Sequence, residues 1–137
     1  MTIKETLFIE KINNGGVIMN KQLVQKLLNC EITWKEFSAI ENCSSYLINT
    51  NGAAIKVDVN AVKNAIQSCL NNKYTMQDLL DWANTVRFSD AFLIEEHYRD
   101  CIIDILDRIE ESDEEGSELS KDDLLLMLKK LNNNEEW

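Results

Sequence analysis

Apolar residues recur along most of the chain at the three- and four-residue spacing of an amphipathic helix. Three such stripes stand out: Leu23, Val24, Leu27 and Leu28; Val62, Ile66, Cys69 and Leu70; and Ile94, Tyr98, Cys101, Ile102, Ile105, Leu106 and Ile109. Each stripe predicts a helix that turns one face toward a core. The third is the longest and predicts a helix over 89–111.

A short motif predicts where three further helices begin. An apolar residue, a Ser or Thr, two variable residues, an acid and a second apolar residue occur in that order at 32–37, 74–79 and 119–124. The hydroxyl can accept from the amide three residues later, and the acid can reach back to the first amide, which makes a capping box. The flanking apolar pair is placed as a hydrophobic staple.

Stripes and caps together predict three helix–turn–helix units, at 20–44, 58–87 and 89–131. The fold class is therefore all-α, a compact bundle of about six helices in a single domain over 1–137. The chain has no proline, which suits helices joined by short turns.

Three segments carry weaker signals of secondary structure. Residues 1–18 form either a short hairpin around Asn13–Gly16 or a loose extension. The linker 45–57 contains Asn51-Gly52 and is either a small hairpin or a simple loop. The polar tail 132–137 is expected to be frayed.

The negative charge of the chain is concentrated in one segment. The net charge is −10, yet residues 1–94 carry nine acids and nine bases, whereas residues 95–118 carry eleven acids and only two arginines. An acidic chain is a poor direct ligand for nucleic acid or for an anionic membrane. No apolar run is long enough for a membrane span, and no signal peptide is expected.

The acids form one face. Asp100, Asp104, Asp107 and Glu111 recur on one side of the predicted helix 89–111, opposite the apolar stripe, and Asp113, Glu114 and Glu115 continue into the loop. Like charges at this spacing weaken a helix. These seven residues are the predicted contact set for a basic partner, and the alternative is a solubilising face.

Catalysis is not expected. The single histidine, His97, falls in the predicted helix without an apposed nucleophile. The cysteines at 30, 43, 69 and 101 have no Cys-x-x-Cys spacing and are interpreted as reduced, half-buried thiols of a cytosolic protein, with two disulfides as the alternative. Trp34 and Trp82 are expected in the core. No cofactor is predicted.

The acidic loop 111–119 is rich in oxygen ligands and suggests a calcium site. An EF-hand loop needs Asp first, Gly sixth, an aliphatic residue eighth and Glu twelfth. Aligning on Gly116 places Glu118 eighth, and aligning on Leu119 places Ser117 sixth, so neither register fits. A degenerate, calcium-responsive helical regulator is kept as the alternative function.

One resemblance covers about half the chain. Residues 64–131, with the run YTMQDLLDWAN at 74–84, an acidic helix and LSKDDL at 119–124, resemble small acidic bacterial immunity proteins of contact-dependent growth inhibition and other polymorphic toxin systems. The resemblance implies a cytoplasmic inhibitor without catalytic activity that binds and neutralises a cognate toxin domain, often a nuclease. A nuclease must be basic to hold phosphate, so an acidic inhibitor can neutralise it either by covering the same surface or by binding at an exosite. The sequence does not specify an oligomeric state.

Overall fold

The computed structural model describes residues 21–43, 45, 46, 48 and 54–135. This part of the chain folds into a helical bundle with one very small sheet. In chain order its elements are α1 (Lys21–Leu28), α2 (Trp34–Glu41), β1 (Ile55–Val57), α3 (Val59–Leu70), α4 (Met76–Phe88), β2 (Phe92–Ile94), α5 (Arg99–Glu111) and α6 (Lys121–Asn133). The prediction of an all-α bundle built from three helix–turn–helix units is confirmed.

All three predicted capping boxes are present. At the start of α2, the Glu36 amide donates to the Thr33 hydroxyl at 3.1 Å, and the Thr33 amide donates to the Glu36 carboxylate at 3.1 Å. The same reciprocal bonds join Thr75 with Asp78 before α4 and Ser120 with Asp123 before α6. Each box satisfies two amides that a helix start would otherwise leave open.

Helix α4 is the centre of the bundle, because it contacts α1, α2, α3 and α5, while α6 packs on α3 and α5. Trp82 of α4 is 1% exposed, and its indole Nε1 donates to the Leu28 carbonyl at 3.2 Å. Trp34 is also buried. Both tryptophans therefore belong to the core, as predicted.

The two strands pair in parallel, with Ile55 opposite Phe92 and Val57 opposite Ile94. This pairing corrects the predicted start of the long third helix, which begins at Arg99 and not at 89. Ile94 satisfies the helical spacing, but its backbone lies in the sheet, whose last bond runs from the Glu95 amide to the Val57 carbonyl at 2.9 Å.

Two of the less specific predictions lie outside the described residues. They are the possible hairpin at 1–18 and the Asn51-Gly52 turn of the linker. At the other end, α6 continues to Asn133, inside the segment expected to fray, and the Asn134 side chain donates to the His97 carbonyl at 3.4 Å. None of the helices in the described part of the chain has the length and apolar character needed to cross a lipid bilayer.

Candidate protein-binding groove

Helix α4 turns one row of side chains away from the centre of the bundle. Leu80, Asn84 and Phe88 are spaced four residues apart and so lie above one another on a single face of α4. Leu80 is buried and Asn84 is partly exposed, whereas 47% of Phe88 is open to solvent. The row therefore runs from the core out to the surface.

The C-terminal half of α5 and the residues after it face this row with carboxylates. Asp107, Glu110 and Glu111 stand three and four residues apart on α5, and Asp113 and Glu114 follow where the helix ends. Glu110, Glu111, Asp113 and Glu114 are exposed, and Asp107 is partly exposed.

Together these surfaces border an open groove of about 580 Å³. We call it the acidic groove. Its lining residues are Tyr46, Leu80, Asn84, Phe88, Asp107, Glu110, Glu111, Asp113 and Glu114. It therefore combines an aromatic and aliphatic wall with five carboxylates.

Tyr46 closes the groove from the segment after α2. Its ring lies 5.0 Å from the ring of Trp34, and its hydroxyl donates to the buried Asp81 carboxylate at 2.7 Å. Gln77 donates to the same carboxylate oxygen at 2.9 Å. Desolvation raises the pKa of Tyr46, and the negative Asp81 raises it further. The tyrosine is thus held in place and stays a neutral donor at physiological pH.

The acidic connector, residues 112–120, supplies Asp113 and Glu114 to the groove and is held by backbone hydrogen bonds. Hydrogen-bonded turns follow α5, with the Glu114 amide donating to the Glu111 carbonyl at 3.0 Å and the Ser117 amide to the Glu114 carbonyl at 3.0 Å. Gly116 adopts a φ of +86° between these turns and the cap of α6, a conformation that favours glycine.

Arg108 ties the connector to the bundle. Its guanidinium donates to the Ser117 carbonyl at 2.8 Å and lies 3.9 Å from the Asp123 carboxylate. The hydrogen bonds from Ser120, with Arg108 nearby, lower the pKa of Asp123. Because Arg108 is committed to these contacts, it does not neutralise the carboxylates that line the groove.

The groove therefore keeps most of its negative charge. Arg87 pairs with Asp107, with 3.2 Å between Nε and Oδ1, and the other four lining carboxylates form no ion pair with any described residue. The C-terminal end of α5 adds the negative end of its helix dipole to the same region. A groove with this field attracts cations and disfavours anions.

The structure brings together four of the seven predicted contact residues. Asp107, Glu111, Asp113 and Glu114 line the acidic groove. The other three, Asp100, Asp104 and Glu115, do not line it. Asp100 is exposed in the first turn of α5, where an acid favours the helix dipole, and Asp104 is partly exposed one turn before the groove.

Four neutral residues and one acid of the groove were not predicted as site residues: Tyr46, Leu80, Asn84, Phe88 and Glu110. The four-residue spacing of Leu80, Asn84 and Phe88 was visible in the sequence. It did not identify a site, because the same spacing also describes a core stripe. Tyr46 is brought to the groove by tertiary packing, which no local pattern reports.

The candidates for chemistry lie elsewhere. His97 is exposed in the turn before α5, with its ring 4.9 Å from that of Tyr98, and it does not line the groove. The Cys30 thiol is buried and donates to the Leu28 carbonyl at 3.9 Å, and burial raises its pKa to about 11. Among the described residues, no three His, Cys, Asp or Glu side chains are grouped so that they could hold a metal ion.

Comparison with known proteins adds no family to this description, since no family model, curated protein or solved structure matches the chain.

Proposed function

We propose that this protein is an inhibitory binding module that docks a basic protein domain in the acidic groove. The observation that carries the proposal is the groove itself, in which four carboxylates that form no ion pair with any described residue stand beside the exposed ring of Phe88. Charge of one sign around such a surface speeds association with a basic partner and selects against acidic ones. Exposed aromatic residues such as Phe88 are typical anchors of protein interfaces.

The resemblance to immunity proteins narrows the partner. On this proposal the partner is a cognate bacterial toxin domain, most simply a nuclease, whose phosphate-binding surface must be basic. Covering that surface stops the toxin without any chemical step by the inhibitor. On this proposal, His97 has no catalytic role and the protein acts in the cytoplasm.

The test is calorimetric titration of the purified protein with the product of the adjacent upstream gene. Replacing Glu111 and Glu114 by lysine should weaken binding at least tenfold, about 1.4 kcal/mol. The matched control replaces Glu31 and Glu96, which are exposed and lie outside the groove. It changes the net charge equally and should leave most of the affinity intact.

The salt dependence separates the groove from a general charge effect. Raising the salt concentration should weaken the wild-type complex and affect the Glu111→Lys, Glu114→Lys variant much less. Equal losses in the two double variants would contradict docking in the groove. Heat released on titration with calcium alone would instead favour the calcium-responsive regulator.

A further inference from the structure

Arg87 places a guanidinium of the chain itself at the rim of the acidic groove. Its Nε lies 3.2 Å from Asp107 Oδ1, and its Cζ lies 6.0 Å from the centre of the Phe88 ring. Asp107 and Phe88 both line the groove. A carboxylate beside an aromatic face is the arrangement that a planar guanidinium binds best.

This contact is open to exchange. The Arg87 side chain is 35% exposed, the Asp107 side chain is 45% exposed, and 47% of Phe88 is exposed. An ion pair with this much solvent access is weak. A second guanidinium with access to more of the groove's carboxylates can therefore replace it.

We propose that the groove binds an arginine side chain of the partner, and that this arginine displaces Arg87 from Asp107 and Phe88. Arg87 then acts as an internal competitor that covers the site while the protein is free. This inference rests on the proposed docking of a basic protein and adds the side chain that is recognised. Arginine is favoured over lysine because its flat, forked group can pair with a carboxylate while it lies against a ring.

The experiment uses N-acetyl-arginine amide and N-acetyl-lysine amide as probes, with nuclear magnetic resonance of the full-length ¹⁵N-labelled protein. Both probes carry one positive charge, so their difference reports the guanidinium. The arginine probe should shift the Arg87 Nε–H signal together with the amide signals of Phe88 and Asp107. The lysine probe should bind more weakly and leave the Arg87 signal nearly in place.

Two variants test the competition. Arg87→Gln removes the internal competitor and should strengthen binding of the arginine probe by roughly two- to five-fold, the range expected for an exposed ion pair. Arg99→Gln removes the same charge from an exposed position outside the groove and should leave binding unchanged.

Three results would overturn the inference: equal binding of the two probes, an unmoved Arg87 signal at saturation with the arginine probe, or equal effects of the two arginine variants. None of these would remove the proposed function, because binding of the adjacent-gene product is measured separately. Conversely, if the wild-type protein did not bind the adjacent-gene product, the proposed function would be wrong. The measured difference between the arginine and lysine probes would still hold.

Discussion

The pair α3–α4 and the pair α5–α6 are built alike and differ in the segment that joins their helices. In both, the second helix begins at a capping box. The α3–α4 connection, 71–75, contains the buried Tyr74, whose hydroxyl donates to the Ile32 carbonyl at 2.6 Å. The α5–α6 connection is the acidic connector, in which Asp113, Glu114 and Glu115 are all exposed.

This difference distinguishes a connection that the fold requires from one whose charges the fold does not require. The first connection stabilises the bundle, because it joins the α1–α2 turn through a buried side chain. The second places repelling charges at the C-terminal end of α5, where the helix dipole prefers cations. The fold itself does not need these charges, so they fit either a solubilising face or, as we propose, a surface that binds a basic partner.

The largest effect is expected from a substitution in the core of the α3–α4 pair. Trp82→Ala removes a buried indole and its hydrogen bond to Leu28, and should lower the free energy of unfolding by about 3–5 kcal/mol. Glu114→Ala in the acidic connector should change it by less than about 0.5 kcal/mol. Denaturant unfolding followed by circular dichroism measures both. Similar losses in the two variants would contradict the division of roles.

The second-largest effect is expected at alkaline pH, which should destabilise the region around the α3–α4 connection. The pKa of Cys30 is raised from 9.0 to about 11 by burial, and burial also raises the pKa of Tyr74. Because the thiol ionises more easily in the unfolded chain, the stabilisation is complete below pH 9.0 and is lost as the pH rises toward 11. The loss from Cys30 is on the order of 2 kcal/mol.

Unfolding measured from neutral to alkaline pH tests this expectation. Cys30→Ala should start from a lower stability and show a shallower alkaline decline than the wild-type protein. Equal slopes in the two proteins would show that the Cys30 thiol is not the titrating group.

A smaller effect is expected at the capping boxes, which the two helix pairs share. Thr75→Ala and Ser120→Ala each remove one capping hydroxyl, from α4 and from α6, and should each cost about 1 kcal/mol in the free energy of unfolding. Thermal and denaturant unfolding should show similar losses. A loss confined to Thr75→Ala would mean that α6 does not depend on its cap, and that the two pairs are less alike than their geometry shows.

The smallest effect concerns the charge of the acidic connector. The triple variant Asp113→Asn, Glu114→Gln, Glu115→Gln should raise the free energy of unfolding by a few tenths of a kcal/mol, because it relieves repulsion at the end of α5. Asp90→Asn, Glu31→Gln and Glu96→Gln at exposed sites elsewhere form the control. If the connector variant were clearly less stable than the control, its acids would have a structural role after all.

The parts that could be predicted from the sequence are those that depend on near neighbours. Capping boxes join residues three apart, so Thr33, Thr75 and Ser120 identified three helix starts, all confirmed. The pairing of Ile55 with Phe92 joins segments far apart in the chain, and three-residue strands leave almost no periodic signal. Helical spacing placed Asp107 and Glu111 on one acidic face, and both line the groove, but Asp100 and Asp104 of that face do not. The aromatic side of the groove depends on where tertiary packing places Tyr46 and Phe88.

Docking in the acidic groove is tested most directly by hydrogen–deuterium exchange of the protein with and without the adjacent-gene product. The experiment compares the two connections within one molecule. Docking in the acidic groove predicts slower exchange over 107–117 in the complex and unchanged exchange at 71–75. Protection at 71–75 with none over 107–117 would contradict it, because the partner would then lie on the connection that we assign to stability.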